Sequence, residues 1–356
     1  MEARVAAGWK VIGVLGGAWG SSDKDAMGSE HLLAGITGTK GEARTALDAE
    51  SVTKAAVLAV LRDRADWPEA WSGDDGAGDS ISSADVLGED GDRRRMLTGA
   101  GHRAFVHAMG EARRRTASAA GKGVGSGSGS GSGSAKLTPE DLLRGLLAEG
   151  DNRCAEVLAL CGTTGDAVLA RLDAGPEGAA DGDRLPAGLD PRLRPTRDVL
   201  LGRSRYPAPF WLRWLHGGMN WVAWPTAWVK QETLAQARLL GHDRAGTEHV
   251  LLAVLATHEV ARAHPHMLSE GTDEGASQRD ERYLGGERLA AVGITYAGVR
   301  RALEADDVLG GDDRPAASYV DAAVDDQGTG PLVESLLKEG TRALRLVQRM
   351  QGAASP

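Results

Sequence analysis

Any chemistry in this chain has to come from its nine histidines, two cysteines and 50 acidic side chains. His258, His264 and His266 flank Glu259 and come nearest to a zinc-protease helix, which needs two histidines four apart on one face and the glutamate as base. The spacing of six between His258 and His264 puts them on different faces, and Pro265 breaks the helix. No metal is expected there. Cys154 and Cys161 share one face of an expected helix but lie roughly 10 Å apart along its axis, too far to bridge. Both read as buried small hydrophobes in a reducing compartment. No Gly-x-Ser-x-Gly elbow occurs, and residues 35–40 have the wrong spacing for a phosphate-binding loop. His31 and His249 are expected to make structural hydrogen bonds at helix starts. The reading is therefore no catalytic residue, no cofactor and no metal: not an enzyme.

Composition narrows the alternatives. A length of 356 residues with 42% hydrophobic residues supports one large core or two to three ordinary ones. A net charge of −9 argues against duplex DNA, which requires a basic face. Nucleic acid is not an expected partner. Glycine is abundant and arginine far outnumbers lysine, the bias of high-GC coding of the actinobacterial kind. Arg4 and Lys10 are scattered through residues 1–19, so no signal peptide is expected and the chain reads as cytoplasmic.

The elements that would hold these residues repeat. Ser29-Glu30-His31-Leu32-Leu33 recurs as Thr138-Pro139-Glu140-Asp141-Leu142-Leu143 and as Thr247-Glu248-His249-Val250-Leu251, the hydroxyl residues 109 apart both times. Each hydroxyl is expected to cap a helix, with acid following where the dipole favours it. Leu32/Leu33/Ile36, Leu142/Leu143/Leu146 and Val250/Leu251/Val254 then form one apolar stripe. The small residues Gly35, Gly145 and Ala253 call for the close approach of a second helix.

Downstream, each copy ends a helix at Ser51, Gly162 or Gly293 and starts another, over 55–61, 167–172 and 297–303. Ser51 stands where glycine belongs and should carry left-handed strain of about 1 kcal/mol. Alternating runs between hairpin turns are lacking, so the fold class is all-α.

These paired motifs resemble the Clp N-terminal domain, the helical repeat that precedes the ATPase modules of Clp-type unfoldases. The resemblance implies tandem repeats forming pseudo-two-fold double-repeat domains, here without the motor. A first double repeat would span 1–175, from copies at 1–71 and 93–175, with a flexible Gly-Ser loop at 121–136. A linker at 176–189 would lead to a second unit at 190–356. Its third repeat, 190–305, would have an opening helix at 194–202 interrupted by a Trp-rich insertion at 206–229 and resumed at 230–240, then a loop at 264–288. An incomplete fourth would open with a helix at 331–350. Asp141 in place of histidine departs from the family pattern.

The insertion holds Trp211, Trp214 and Trp221 among prolines, glycines and charges, too interrupted for a spanning helix, so membrane contact is not expected. It reads either as a hairpin packed on its own domain or as an aromatic lining for a ligand or membrane interface. Family domains bind adaptors, degradation-marked substrates including phosphoarginine-bearing ones, and cyclic peptide antibiotics. By that resemblance the Glu149-Gly150-Asp151 turn, and Glu42 in the first copy, are expected to face a guanidinium. The expected function is a non-catalytic binding protein of the Clp protease system, with Clp components or peptide substrates as partners. The alternative is a sequestering, self-resistance protein that captures a cyclic peptide antibiotic or another hydrophobic natural product through the tryptophans.

Overall fold

The computed structural model describes residues 5–22, 26–65, 71–122, 135–180, 185–204, 221, 224–264, 275–305, 309–323 and 328–353. Trp211 and Trp214 lie outside these residues. The chain is mostly helical and forms two compact units, Met1–Arg184 and Leu185–Pro356. Among the described residues no helix is long and apolar enough to cross a membrane.

Unit 1 runs β1 (Val5–Ala7), α1 (Trp9–Ser21), α2 (Ser29–Gly38), α3 (Glu42–Ala49), α4 (Lys54–Ala65), β2 (Ile81–Ser82), α5 (Ser83–Leu87), β3 (Met96–Leu97), α6 (Gly99–Lys122), β4 (Ala135–Leu137), α7 (Pro139–Leu147), α8 (Arg153–Leu160) and α9 (Gly165–Ala180). β1 pairs in parallel with β4, and β2 antiparallel with β3. The Gly-Ser segment expected as loop over 121–136 thus gives residues 121–122 to α6 and 135–136 to β4. The expected linker 176–189 is likewise helical through Ala180, beyond a break at Gly175, whose φ is 70°.

α2 is the centre of the unit, touching α1, α3, α4, α6, α7 and α8. A central helix has little solvent face, so α2 buries Ser29, Glu30 and Thr37 as well as Leu32, Leu33 and Ile36, and leaves His31 partly exposed and Gly38 exposed. Its expected single apolar stripe is therefore widened to a surface buried on all sides from Leu32 to Thr37, whereas α7 leaves Glu140 and Arg144 partly exposed. Close helix approach accounts for both glycines. A Cβ on Gly35 would sit 2.2 Å from the Val14 carbonyl oxygen of α1, and one on Gly145 would sit 2.1 Å from that of Ala104 in α6.

Unit 2 runs α10 (Arg194–Leu200), α11 (Pro225–Leu239), α12 (Thr247–Ala263), α13 (Gly275–Ala291), α14 (Tyr296–Glu304), α15 (Ala316–Ala323), α16 (Thr329–Lys338) and α17 (Arg342–Ala353). α12 is its centre, contacting every other helix of the unit. Three sequence expectations are corrected. The Trp-rich insertion over 206–229 surrenders residues 225–229 to α11, because Pro225 suits the first turn of a helix. Residues 275–288 of the expected loop 264–288 belong to α13. The helix expected over 331–350 is two helices broken at Glu339-Gly340-Thr341, where the Gly340 amide donates to Asp313 Oδ2 at 2.9 Å and Thr341 starts the next turn.

The helix junctions follow the local signals. Gly162 and Gly293 have φ of 77° and 78°, and Ser51, at 66°, is the one residue other than glycine with positive φ among the described residues. Cys154 and Cys161 are buried free thiols.

A cleft between helix starts

The caps are displaced by one residue from the expected register. Only Thr138 is an N-cap, accepting the Asp141 amide at 3.3 Å. Ser29 and Thr247 are instead first helical residues, behind Gly28 and Gly246. His31 Nδ1 accepts the Gly28 amide at 3.1 Å and His249 Nδ1 the Gly246 amide at 2.9 Å. This frees the hydroxyls for distant partners.

Ser29 Oγ donates to Asp75 Oδ1 at 2.5 Å and accepts the Cys154 amide at 2.9 Å. Asp75 also accepts the amides of Ser29 and Arg153 and the hydroxyl of Thr98. Unit 2 repeats the arrangement: Thr247 Oγ1 donates to Asp312 Oδ1 at 2.5 Å and accepts the Ala343 amide at 3.0 Å, and Asp312 accepts the Arg342 amide at 2.7 Å. Sequence reading missed both aspartates, since 72–92 and 306–330 register as polar breaks. A shared Asp-Asp pair beside glycine, at 74–75 and 312–313, is the signal they carry.

The second residue behind each of the three caps is glutamate, and its surroundings differ. Glu30, buried, meets Arg153 Nη1 at 3.4 Å. Glu248, buried, meets Arg342 Nη2 at 3.0 Å, and burial still pushes its carboxyl upward. Arg153 and Arg342 are the first residues of α8 and α17. The first residue of α3, which meets α7 as α8 meets α2, is Glu42. Glu140 accordingly makes no ion pair with a described residue; its Oε1 accepts the Ala43 amide at 3.4 Å.

Around Glu42 and Glu140 opens a cleft of about 630 Å³, also lined by Lys10, Arg115, Ser118 and Arg144. Arg115 pairs with Asp141, and Arg144 with Asp173. Lys10 and Glu42 make no ion pair with any described residue. Glu111 and Arg114, also in the lining, pair with each other, so outside these ion pairs the cleft presents two carboxylates and one ammonium.

Of the expected site residues, Glu42 lines this cleft and Glu149 and Asp151 do not. Both Glu149 oxygens accept Arg103 Nε, at 2.7 and 2.9 Å, and this hydrogen bond, joined by the charge of Asp151, raises the Arg103 pKa. Trp221, in unit 2, is buried against Trp228 with ring centroids 5.7 Å apart.

His242, Glu248 and His249 form the one cluster of potential metal ligands among the described residues. His249 Nδ1 already accepts an amide, so its proton sits on Nε2 and is directed at His242 Nδ1, 2.8 Å away. Burial, with His242 adding to it, pulls the His249 pKa down to about 4. A protonated Nε2 offers no lone pair to a cation; the two histidines are joined by this hydrogen bond, while neither Glu248 oxygen has a hydrogen-bond partner among the described residues.

Comparison of the chain with protein-family models, curated proteins and solved structures finds no match.

Proposed function

We propose that this chain is a non-catalytic binding protein, in the manner its resemblance to Clp N-terminal domains implies. Its unit-1 cleft takes an arginine-bearing, peptide-like ligand, such as a degradation-marked substrate or an adaptor of the Clp system. One observation carries the reading. At two of three equivalent helix starts a buried glutamate holds the protein's own guanidinium, and at the third Glu140 lines an open cleft together with Glu42. Two carboxylates can receive the planar fork of a guanidinium bidentately. Lys10 beside them suits an anionic group carried on the same ligand, as in phosphoarginine.

Burial of Trp221 against Trp228 favours the cleft over a tryptophan-lined pocket for a hydrophobic natural product. Free Cys154 and Cys161 agree with a cytoplasmic setting. Calorimetric titration of arginine and phosphoarginine peptides tests the proposal, with lysine peptides as controls. Saturable binding that Glu42→Gln with Glu140→Gln removes is expected; no binding of either arginine peptide overturns it.

A further inference from the structure

Four of the 13 residues of α1 are glycine, and each disfavours a helix by roughly 1 kcal/mol against alanine. Packing explains Gly17, where a Cβ would sit 3.2 Å from the Gly35 Cα. At Gly13, Gly16 and Gly20 a Cβ would meet nothing within 4 Å among the described residues. Helical geometry, at about 100° per residue, sets these three on the outer face in line with Trp9. Trp9 is 78% exposed and Ile12, at the border of the same face, 45%. Lys10, the one charged residue of the helix, lines the cleft. The outer face is thus an aromatic knob followed by a glycine groove, without charge.

The two helices that play the same part elsewhere present charge there. The contacts of Gly35 and Gly145 align Val14 of α1 with Ala104 of α6, so Ile12, Gly13, Gly16 and Gly20 correspond to His102, Arg103, Val106 and Gly110. In α11, Lys230, Gln231, Leu234 and Arg238 stand at the same spacing ahead of Thr247 as those four residues of α1 ahead of Ser29. Arg103, Lys230 and Arg238 are exposed, as suits a helix face turned to water. A face without charge matches a partner surface without charge, and the shape of α1 supplies one. With two copies antiparallel about a two-fold axis between Gly13 and Gly16, each Trp9 lies over Gly20 of the other copy. Gly13 and Gly16 then meet across the axis, where missing side chains let the backbones come close. Two tryptophans at roughly 150–250 Å² each, with the helix faces around them, bury on the order of 1,000 Å², which suits a weak, reversible dimer.

We infer that the outer face of α1 is a self-association surface, on which a second copy of this chain docks antiparallel with its Trp9 in the glycine groove. The inference is independent of the cleft reading: protein carrying Glu42→Gln and Glu140→Gln should associate like the wild type.

Sedimentation velocity of the full chain over a concentration series tests it, and a monomer–dimer equilibrium in the micromolar range is expected. Trp9→Ser and Gly16→Leu should each weaken association at least about tenfold. The melting temperature of Gly16→Leu should not fall, because leucine favours a helix and the position is open. Gly16→Leu is the sharper variant: it adds apolar area while filling the groove, so nonspecific adhesion predicts tighter association and a groove predicts loss. Should one variant fail to fold, the other decides. A wild-type chain that stays monomeric up to several hundred micromolar overturns the inference, as does association that is unchanged in a folded variant or tighter in Gly16→Leu. Co-sedimentation of a chain that does not dimerise with neutral or anionic phospholipid vesicles, abolished by Trp9→Ser, would overturn it too and make the occupant a lipid surface.

Discussion

The Ser29 hydroxyl donates to Asp75 Oδ1 across 2.5 Å, joining the start of the central helix to a carboxylate 46 residues away. Because the same carboxylate receives the first amide of α8, through Arg153, it ties two helix starts that no local signal connects. Asp75 is 1% exposed. Replacing it with alanine strands several buried donors and should cost unit 1 about 3 kcal/mol or more, with Asp75→Asn costing less. Urea unfolding is the measurement, and a loss below about 1 kcal/mol would show that water replaces the carboxylate.

Gly35 leaves no room for a methyl group, since the Val14 carbonyl oxygen would lie 2.2 Å from it. Gly35→Ala should push α1 off α2 and destabilise unit 1 by about 1–3 kcal/mol, despite alanine's better helix propensity. Gly13→Ala, where the added atom meets nothing within 4 Å, should be neutral or stabilising.

Ser51 holds φ of 66° at a helix junction where Gly162 and Gly293 stand in the corresponding places. Ser51→Gly removes a Cβ from the left-handed region, and a gain of about 1 kcal/mol is expected. Differential scanning calorimetry should show a higher Tm; a lower one would mean that the Ser51 side chain contributes more than the strain costs.

His258 is buried beside Gly286, and burial, helped by the Arg262 charge, lowers its pKa to about 4. Unfolded, it titrates near about 6.5, so between those values the unfolded state binds the extra proton. Stability from this group is present above pH about 6.5 and lost as pH falls toward about 4. The buried Glu232 and Glu248 carboxyls, raised by burial, act in the opposite sense in wild type and variant alike. His258→Asn should therefore shrink the fall in unfolding free energy between neutral and acidic buffer by on the order of 1 kcal/mol per pH unit. Identical pH profiles for the two proteins would show that His258 stays neutral for another reason.

Burial drives both thiols upward, that of Cys161 to about 12 and that of Cys154 further, where Asp75 and Glu30 add to the effect. Neither presents a thiolate at neutral pH. A disulfide reagent should leave both unmodified in the folded protein and label both in denaturant; fast labelling of Cys154 in native buffer would mean that α8 opens readily.

Sequence alone settled what depends on near neighbours along the chain. Helix periodicity, the closing glycines, the strained Ser51 and the close-packed Gly35 and Gly145 each express a local φ preference or a side-chain volume, and these are properties of the residues themselves. Tertiary structure decided what depends on partners brought from afar. Ser29 and Thr247 resemble caps in isolation, but Asp75 and Asp312 draw their hydroxyls away and leave Gly28 and Gly246 in the cap positions. Glu42 and Glu149 looked alike as acids beside a turn. Arg103 neutralises Glu149, whereas Glu42 pairs with no arginine among the described residues and shares a cleft with Glu140, because charge pairing is set by which helix starts the fold brings together, a relation that no spacing along the chain encodes.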